Sequence, residues 1–210
     1  VGEEEGSAPE GTWPVKPYTE VKTTDAVREK PFLVYDEDHG YGVYVPKLQQ
    51  NTSGTTWQDL DESDLAWRKA NDGDALGDAI VGIDAFYIAD AAKDNAQTIN
   101  EALALGKNLL LTPGIYELDE PIDVNNPNTI VLGMGLVTLR STQGTTCIKV
   151  ADESGIMVAG LLMDAGTVKS ENLMVVGDAD NKTEKEVPIM LSDLYFRVGG
   201  TPTDQPAQTH

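Results

Sequence analysis

The chain has 210 residues, 40% of them hydrophobic, which suffices for one substantial core or one core plus a small accessory unit. Its 35 acidic side chains against 15 basic ones leave a net charge of −20, a field that repels phosphate backbones and anionic lipid headgroups and so disfavours nucleic acid and membrane surfaces as partners. The same field opposes a polyanionic polymer such as polygalacturonate and suits a neutral glycan better.

The lone cysteine, Cys147 in Cys147-Ile148-Lys149-Val150, excludes an internal disulfide and reads as a small buried hydrophobe. No window approaches the roughly 20 apolar residues of a membrane span. The acidic start Val1-Gly2-Glu3-Glu4-Glu5 lacks both a Met and signal-peptide character, so the expectation is a mature or excised piece of something longer.

Residues 1–31 are rich in Pro, Gly, Glu, Thr and Lys without a sustained period, and read as an extended linker in which Trp13, Pro14 and Tyr18 are docking points. Residues 32–84 follow as a junction region. Phe32-Leu33-Val34-Tyr35 and Tyr41-Gly42-Val43-Tyr44-Val45 flank the turn-rich Asp36-Glu37-Asp38-His39-Gly40, which predicts a β-hairpin. Beyond it the chain reads as irregular. Trp57 follows the polar loop Asn51–Thr56 and is a candidate sugar-stacking residue, with anchoring of the loop on the core as the plainer reading.

The third segment, 85–210, is the informative one. Asp94-Asn95-Ala96-Gln97 predicts a capping box with Asp94 as the N-cap. Ile99, Ala102 and Leu103 recur at helical spacing, and Gly106 stands where a left-handed C-cap belongs. After this helix, over Ala96–Leu105, the period changes. Asn108-Leu109-Leu110-Leu111 reads as a short buried strand stopped by Pro113-Gly114.

From there the chain repeats itself. Runs beginning at Thr129-Ile130-Val131-Leu132-Gly133, Gly155-Ile156-Met157-Val158 and Pro188-Ile189-Met190-Leu191 align on Ile130, Ile156 and Ile189, at steps of 26 and 33 residues. Further strand-like pieces lie between them at 137–139, 147–150 and 173–176. Strands this short cannot bury an apolar face alone, but coiling the chain stacks like on like at about 4.8 Å and closes a continuous core. Corners must turn sharply, hence Gly133, Gly135, Gly160, Gly166 and Gly177. The predicted fold is all-β: a right-handed parallel β-helix (solenoid) with an N-terminal capping α-helix, preceded by an irregular N-terminal hairpin and linker region. A first coil exposes an apolar end that the helix is placed to cap.

The stretch Thr98–Leu118, with its I-x-x-A helix, apolar strand and Pro113-Gly114-Ile115-Tyr116, resembles the opening of pectate-lyase-superfamily β-helices. Pro121-Ile122-Asp123-Val124 and Thr129–Gly135 look like the first rung. Within that superfamily the chain is most similar to large secreted bacterial paired-β-helix proteins, including glycoside hydrolase family 55 β-1,3-glucanases. The resemblance covers about residues 30–200. It implies an extracellular glycoside hydrolase acting on a neutral β-glucan, with the catalytic carboxylates on middle and later coils and a further β-helix segment continuing or packing against this one. A non-catalytic glycan-binding or adhesion module is the rival, and a polysaccharide lyase the second.

Hydrolysis needs two carboxyl groups flanking one bond. Asp164 and Asp193 belong to the aligned repeat and are the internal candidates for catalytic residues. They are out of register, however: Asp164 aligns with Arg197 and Asp193 with Gly160, so Asp164 reads better as half of an ion pair. Asp119 and Glu120 read as solvent residues. Asp152 with Glu153 and Asp178 with Asp180 are acidic corners that read as solvated turns. His39 and His210 are too isolated for a metal site, and Gly133-Met134-Gly135 leads into a strand instead of a phosphate-binding helix. Neither a cofactor nor a metal is expected. Asn51-Thr52-Ser53 and Asn181-Lys182-Thr183 are glycosylation sequons.

Overall fold

A computed structural model describes residues 23–52, 66–68, 79–177 and 187–198. From Phe86 to Arg197 the described residues wind as a right-handed parallel β-helix of about four turns. Strand β7 (Phe86–Ala89) opens it, and helix α1 (Ala96–Ala104) leads to β8 (Asn108–Leu111), β9 (Gly114–Leu118) and β10 (Ile122–Val124). The next coil repeats the three strands as β11 (Ile130–Gly133), β12 (Val137–Ser141) and β13 (Ile148–Val150). In the third coil, β14 (Met157–Asp164) runs through a corner and serves two faces, and β15 (Met174–Val176) supplies the third. Strand β16 (Met190–Arg197) repeats the double-length strand on the fourth.

Three parallel faces result. The first stacks β7, β8, β11, the start of β14 and the start of β16. The second stacks β9, β12 and the latter halves of β14 and β16. The third stacks β10, β13 and β15. Leu109, Leu111, Val131 and Val158 point inward from the first face and meet Tyr116, Leu118, Leu139 and Met163 of the second and Ile122, Val124, Ile148 and Val150 of the third. Ile99 and Leu103 of α1 close this core at one end.

The repeat is staggered differently from the isoleucine alignment. Ile130 pairs with Met157, a step of 27 residues, and Met157 pairs with Met190, a step of 33. Lining up Ile130 with Ile156 slips the first step by one residue. In a strand that slip exchanges the two faces, and it matters here: Ile156 lies in the interior core, whereas Ile130 is buried on the opposite side.

The helix start also differs from the expectation. The N-cap is Asn95, whose Oδ1 accepts the Thr98 N–H (3.0 Å) while Thr98 Oγ1 accepts the Asn95 N–H (3.1 Å). This is a capping box one residue later than predicted, with Thr in place of Gln. Asp94 is held elsewhere: its carboxylate accepts the Tyr87 hydroxyl (2.5 Å) and the Asp90 N–H (2.8 Å), tying β7 to the helix entrance. Gly106 follows the helix at φ +81°, as a left-handed C-cap requires.

The segment before the solenoid has more order than its composition suggested. Strands β1 (Thr24–Val27) and β4 (Gln49–Thr52) pair antiparallel. β2 (Phe32–Asp36) and β3 (Gly40–Val45) form the predicted hairpin, with Tyr35 and Tyr41 opposed across it. β6 (Ala79–Gly82) joins β3 antiparallel, and β5 (Ala66–Arg68) joins β6 in parallel, giving a four-stranded sheet. That sheet lies on the outer side of the first solenoid face. Val43, Val45 and Val81 pack there against Leu110, Ile130, Leu132, Met157 and Ala159, forming a second core.

Candidate functional site

With its first face covered, the solenoid presents the outer side of its second face. Two rows of side chains stand there. Ile115, Thr138, Leu162 and Tyr195 share one register position, and Glu117, Arg140, Asp164 and Arg197 share the next but one. Outward and inward positions alternate along each strand, as the period of two demands. In β12 the inward Val137, Leu139 and Ser141 are buried, while Thr138 and Arg140 between them are half-buried.

Asp164 is the more buried of the two carboxylates singled out above. Arg197 clamps it bidentately, Nε donating to Oδ1 (2.9 Å) and Nη2 to Oδ2 (2.6 Å). Only 2% of the Asp164 side chain is exposed, against 49% of Arg197. The carboxylate beside it raises the pKa of Arg197, through the hydrogen bonds first and the Coulombic attraction second. One strand back, Arg140 donates from Nε to Glu117 Oε2 (3.1 Å) and from Nη2 to Oε1, and its pKa is raised chiefly by that contact. Neither Glu117 nor Arg140 stood out in the sequence. The signal for them is the 23-residue step that pairs Glu117 with Arg140, which a search anchored on isoleucines passes over.

Asp193 sits elsewhere, at the corner between the first and second faces. Its neighbours in β16 pair with Ala159 and Leu161, so it stacks on Gly160. Both residues have a left-handed backbone, φ +50° for Asp193 and +73° for Gly160. The Asp193 carboxylate bonds Lys30, which precedes β2, and so ties the N-terminal sheet to the fourth coil. Asp164 and Asp193 are therefore separated by one coil and one corner, and each faces a cation of its own. Trp57, the candidate for sugar stacking, lies outside the described residues, as do Asp178, Asp180 and His210. Asp119 and Glu120 are exposed beside β9.

The Tyr116 of the Pro-Gly-x-Tyr element is 1% exposed, and its hydroxyl donates to the Ala89 carbonyl (2.8 Å) with the Thr112 carbonyl 3.0 Å away. Burial pushes its phenol up. Its position behind the strands makes it a packing and hydrogen-bonding residue of the first coil. At the hairpin tip, Asp36 Oδ1 accepts the N–H groups of Asp38 and His39 and meets His39 Nδ1 at 2.7 Å, which holds the Asp36 carboxyl below its ordinary range. Among the described residues no group of three or more His, Cys, Asp or Glu side chains is placed to hold a metal ion.

Coils of this form, capped by a helix and stacked in three parallel faces, define the chain as a pectin-lyase-like right-handed β-helix. It belongs to the LAM55 pectate lyase-like domain family, which residues 86–209 match. Over 194 residues, 92% of its length, it is 40% identical to an Exo-beta-1,3-glucanase of Streptomyces sp. (strain SirexAA-E / ActE), of which it spans 29%. The solved structure of sacteLam55A from Streptomyces sp. SirexAA-E superposes with a TM-score of 0.75 at 39% identity, over 92% of this chain and 32% of that one. A variant of that protein in complex with glucose matches with the same TM-score at 38% identity. The chain thus spans about 30% of the length of these relatives.

Proposed function

We propose that the chain is one section of a secreted glycoside hydrolase that cleaves a neutral β-glucan, with β-1,3-glucan as the substrate. The observation that carries this reading is the 40% identity to an exo-β-1,3-glucanase, sustained over 92% of the chain and so through both the N-terminal sheet and the coils. The net charge of −20 fits a neutral polymer and opposes an anionic one.

In this reading the section supplies architecture. A glycosidase needs one carboxyl group kept protonated and a second kept ionised beside the scissile bond. Asp164 lies under a guanidinium fork that occupies both of its oxygens, and Asp193 is held at a corner by a lysine. The acid and base are therefore assigned to further coils, or to a second β-helix, that continue or pack against this one.

Incubating the full-length protein with laminarin tests the proposal. Release of glucose or of new reducing ends is expected. Binding without any new reducing ends would overturn it in favour of a glycan-binding module.

A further inference from the structure

The row Glu117, Arg140, Asp164, Arg197 runs up the second face at one register position, and its charges alternate from coil to coil. We infer that this row is a register lock: an electrostatic ladder that sets which residues of successive coils lie side by side. The inference does not depend on the substrate of the full-length protein.

The interior does not do this job by itself. The inward residues one step back along the same strands are Tyr116, Leu139 and Met163, register partners on three successive coils and all large and buried. Such residues enforce the alternation of inside and outside. They discriminate poorly against a slide by two residues, which keeps every apolar side chain inward. The ladder does discriminate. A slide of β14 by two residues against β12 sets Asp164 beside Thr138 or Thr142 instead of Arg140. A similar slide of β16 takes Arg197 away from Asp164 and costs that carboxylate its bidentate partner.

Three observations support a ladder over two separate pairs. Arg140 stands in register between two carboxylates, Glu117 and Asp164. Asp164 as well as Glu117 favours the charge of Arg140, and Arg197 opposes it, so Arg140 is influenced by coils on both sides of its own. The position also holds charge on every coil, whereas the parallel row changes from Ile115 to Thr138, Leu162 and Tyr195.

Exchanging Glu117 and Arg140 in the full-length protein separates the two descriptions. The double variant E117R/R140E keeps that pair oppositely charged but puts a carboxylate next to Asp164. A ladder predicts a melting temperature lower by roughly 5 °C and a loss that shrinks in about 1 M salt. The fourfold inversion E117R/R140E/D164R/R197E restores alternation and is expected to recover most of the loss. An exchange variant that melts with the wild type, or a fourfold inversion that recovers nothing, would overturn the inference. Should the exchange variant fail to fold, Arg140→Gln is the gentler probe. Amide exchange is then expected to quicken in β14 as well as β12, and unchanged exchange in β14 would overturn the lock.

Discussion

The first and second faces of the solenoid are made by the same coils, yet they are written in different patterns. On the first face β8 and β11 are buried on both sides: every residue of Asn108–Leu111 is buried, as are Ile130, Val131 and Leu132. On the second face burial alternates, so that Ile115, Glu117, Thr138 and Arg140 emerge between inward neighbours. The difference lies in what covers the outer side. The four-stranded N-terminal sheet places Val43, Val45 and Val81 over the first face, whereas Ile115 of the second is 50% exposed and Tyr195 63%. Continuous apolar runs mark a strand with two packed faces and alternation marks one with a single packed face. A β-helix therefore records in each strand whether something is docked on it.

That contrast yields the largest expected effect. Leu132 points away from the interior yet is 4% exposed under the N-terminal sheet. Replacing it by Ala is expected to cost about 2–5 kcal/mol, as for a core leucine. Ile115→Ala, at an outward position on the second face, is expected to cost less than about 1 kcal/mol. Denaturant midpoints of the two variants check this. Equal losses would mean that the sheet does not cover the first face in solution.

Cys147 asks whether the interior behind the open face is as dry as that behind the covered one. It is fully buried just before β13, its Sγ 3.6 Å from the Leu139 carbonyl, and burial pushes its thiol up to about 11 from 9.0. Because the folded pKa is raised, folding favours the neutral thiol. This contribution is fully present below about pH 9 and is lost as pH rises from there through about 11, where the folded form ionises too. The size is on the order of 2–3 kcal/mol. Urea midpoints of the wild type should fall across that window more steeply than those of Cys147→Ala. Parallel slopes would mean that water reaches the thiol.

Much of this architecture is legible in the sequence, for reasons that differ by region. The hairpin, the helix and the coil strands are local: a turn-rich tip, a helical period ended by Gly106, and short apolar runs between glycines. The Asp164–Arg197 pair was legible because β14 and β16 are both unbroken over eight residues, so that one 33-residue step aligns all of their partners. The one-residue slip at Ile130 arose because matching like side chains ignores which way each points, and Ile130 packs against the sheet instead of the interior. That sheet was the least legible feature. Its β6 is only four residues long and pairs with β3, more than thirty positions earlier, a contact with no local signal. The candidate site was legible only in part, since ion pairs such as Glu117–Arg140 depend on a register that the isoleucine alignment did not supply.

The corner between the two faces gives a smaller effect. At Gly160 the backbone is left-handed, φ +73°, and a Cβ would stand 2.7 Å from the Gly133 carbonyl oxygen of the coil below. Gly160→Ala therefore combines an unfavourable φ with a backbone clash, and about 1–3 kcal/mol of stability should be lost in chemical denaturation. A neutral outcome would mean that the two strands part at this corner.

Asp193 occupies the same corner one coil later, and it is the smallest and most discriminating case. Its φ of +50° is a conformation glycine adopts without strain and Asp only tolerates. Against that stands its bond to Lys30, an exposed pair with 48% and 47% of the two side chains accessible, of a kind that contributes about 0–1 kcal/mol. The two terms oppose each other, so Asp193→Gly is expected to change stability by no more than about 1 kcal/mol in either direction. Asp193→Val, which keeps neither the ion pair nor an acceptable left-handed backbone, should be clearly destabilised. The same glycine variant bears on chemistry. If the carboxylate serves only the corner and the clamp to Lys30, laminarin hydrolysis by the full-length protein stays within about twofold of wild type, whereas loss of a general acid or base costs about a hundredfold or more. A loss of that size in a stably folded Asp193→Gly protein would move the catalytic site onto this corner, where the covered and open faces meet.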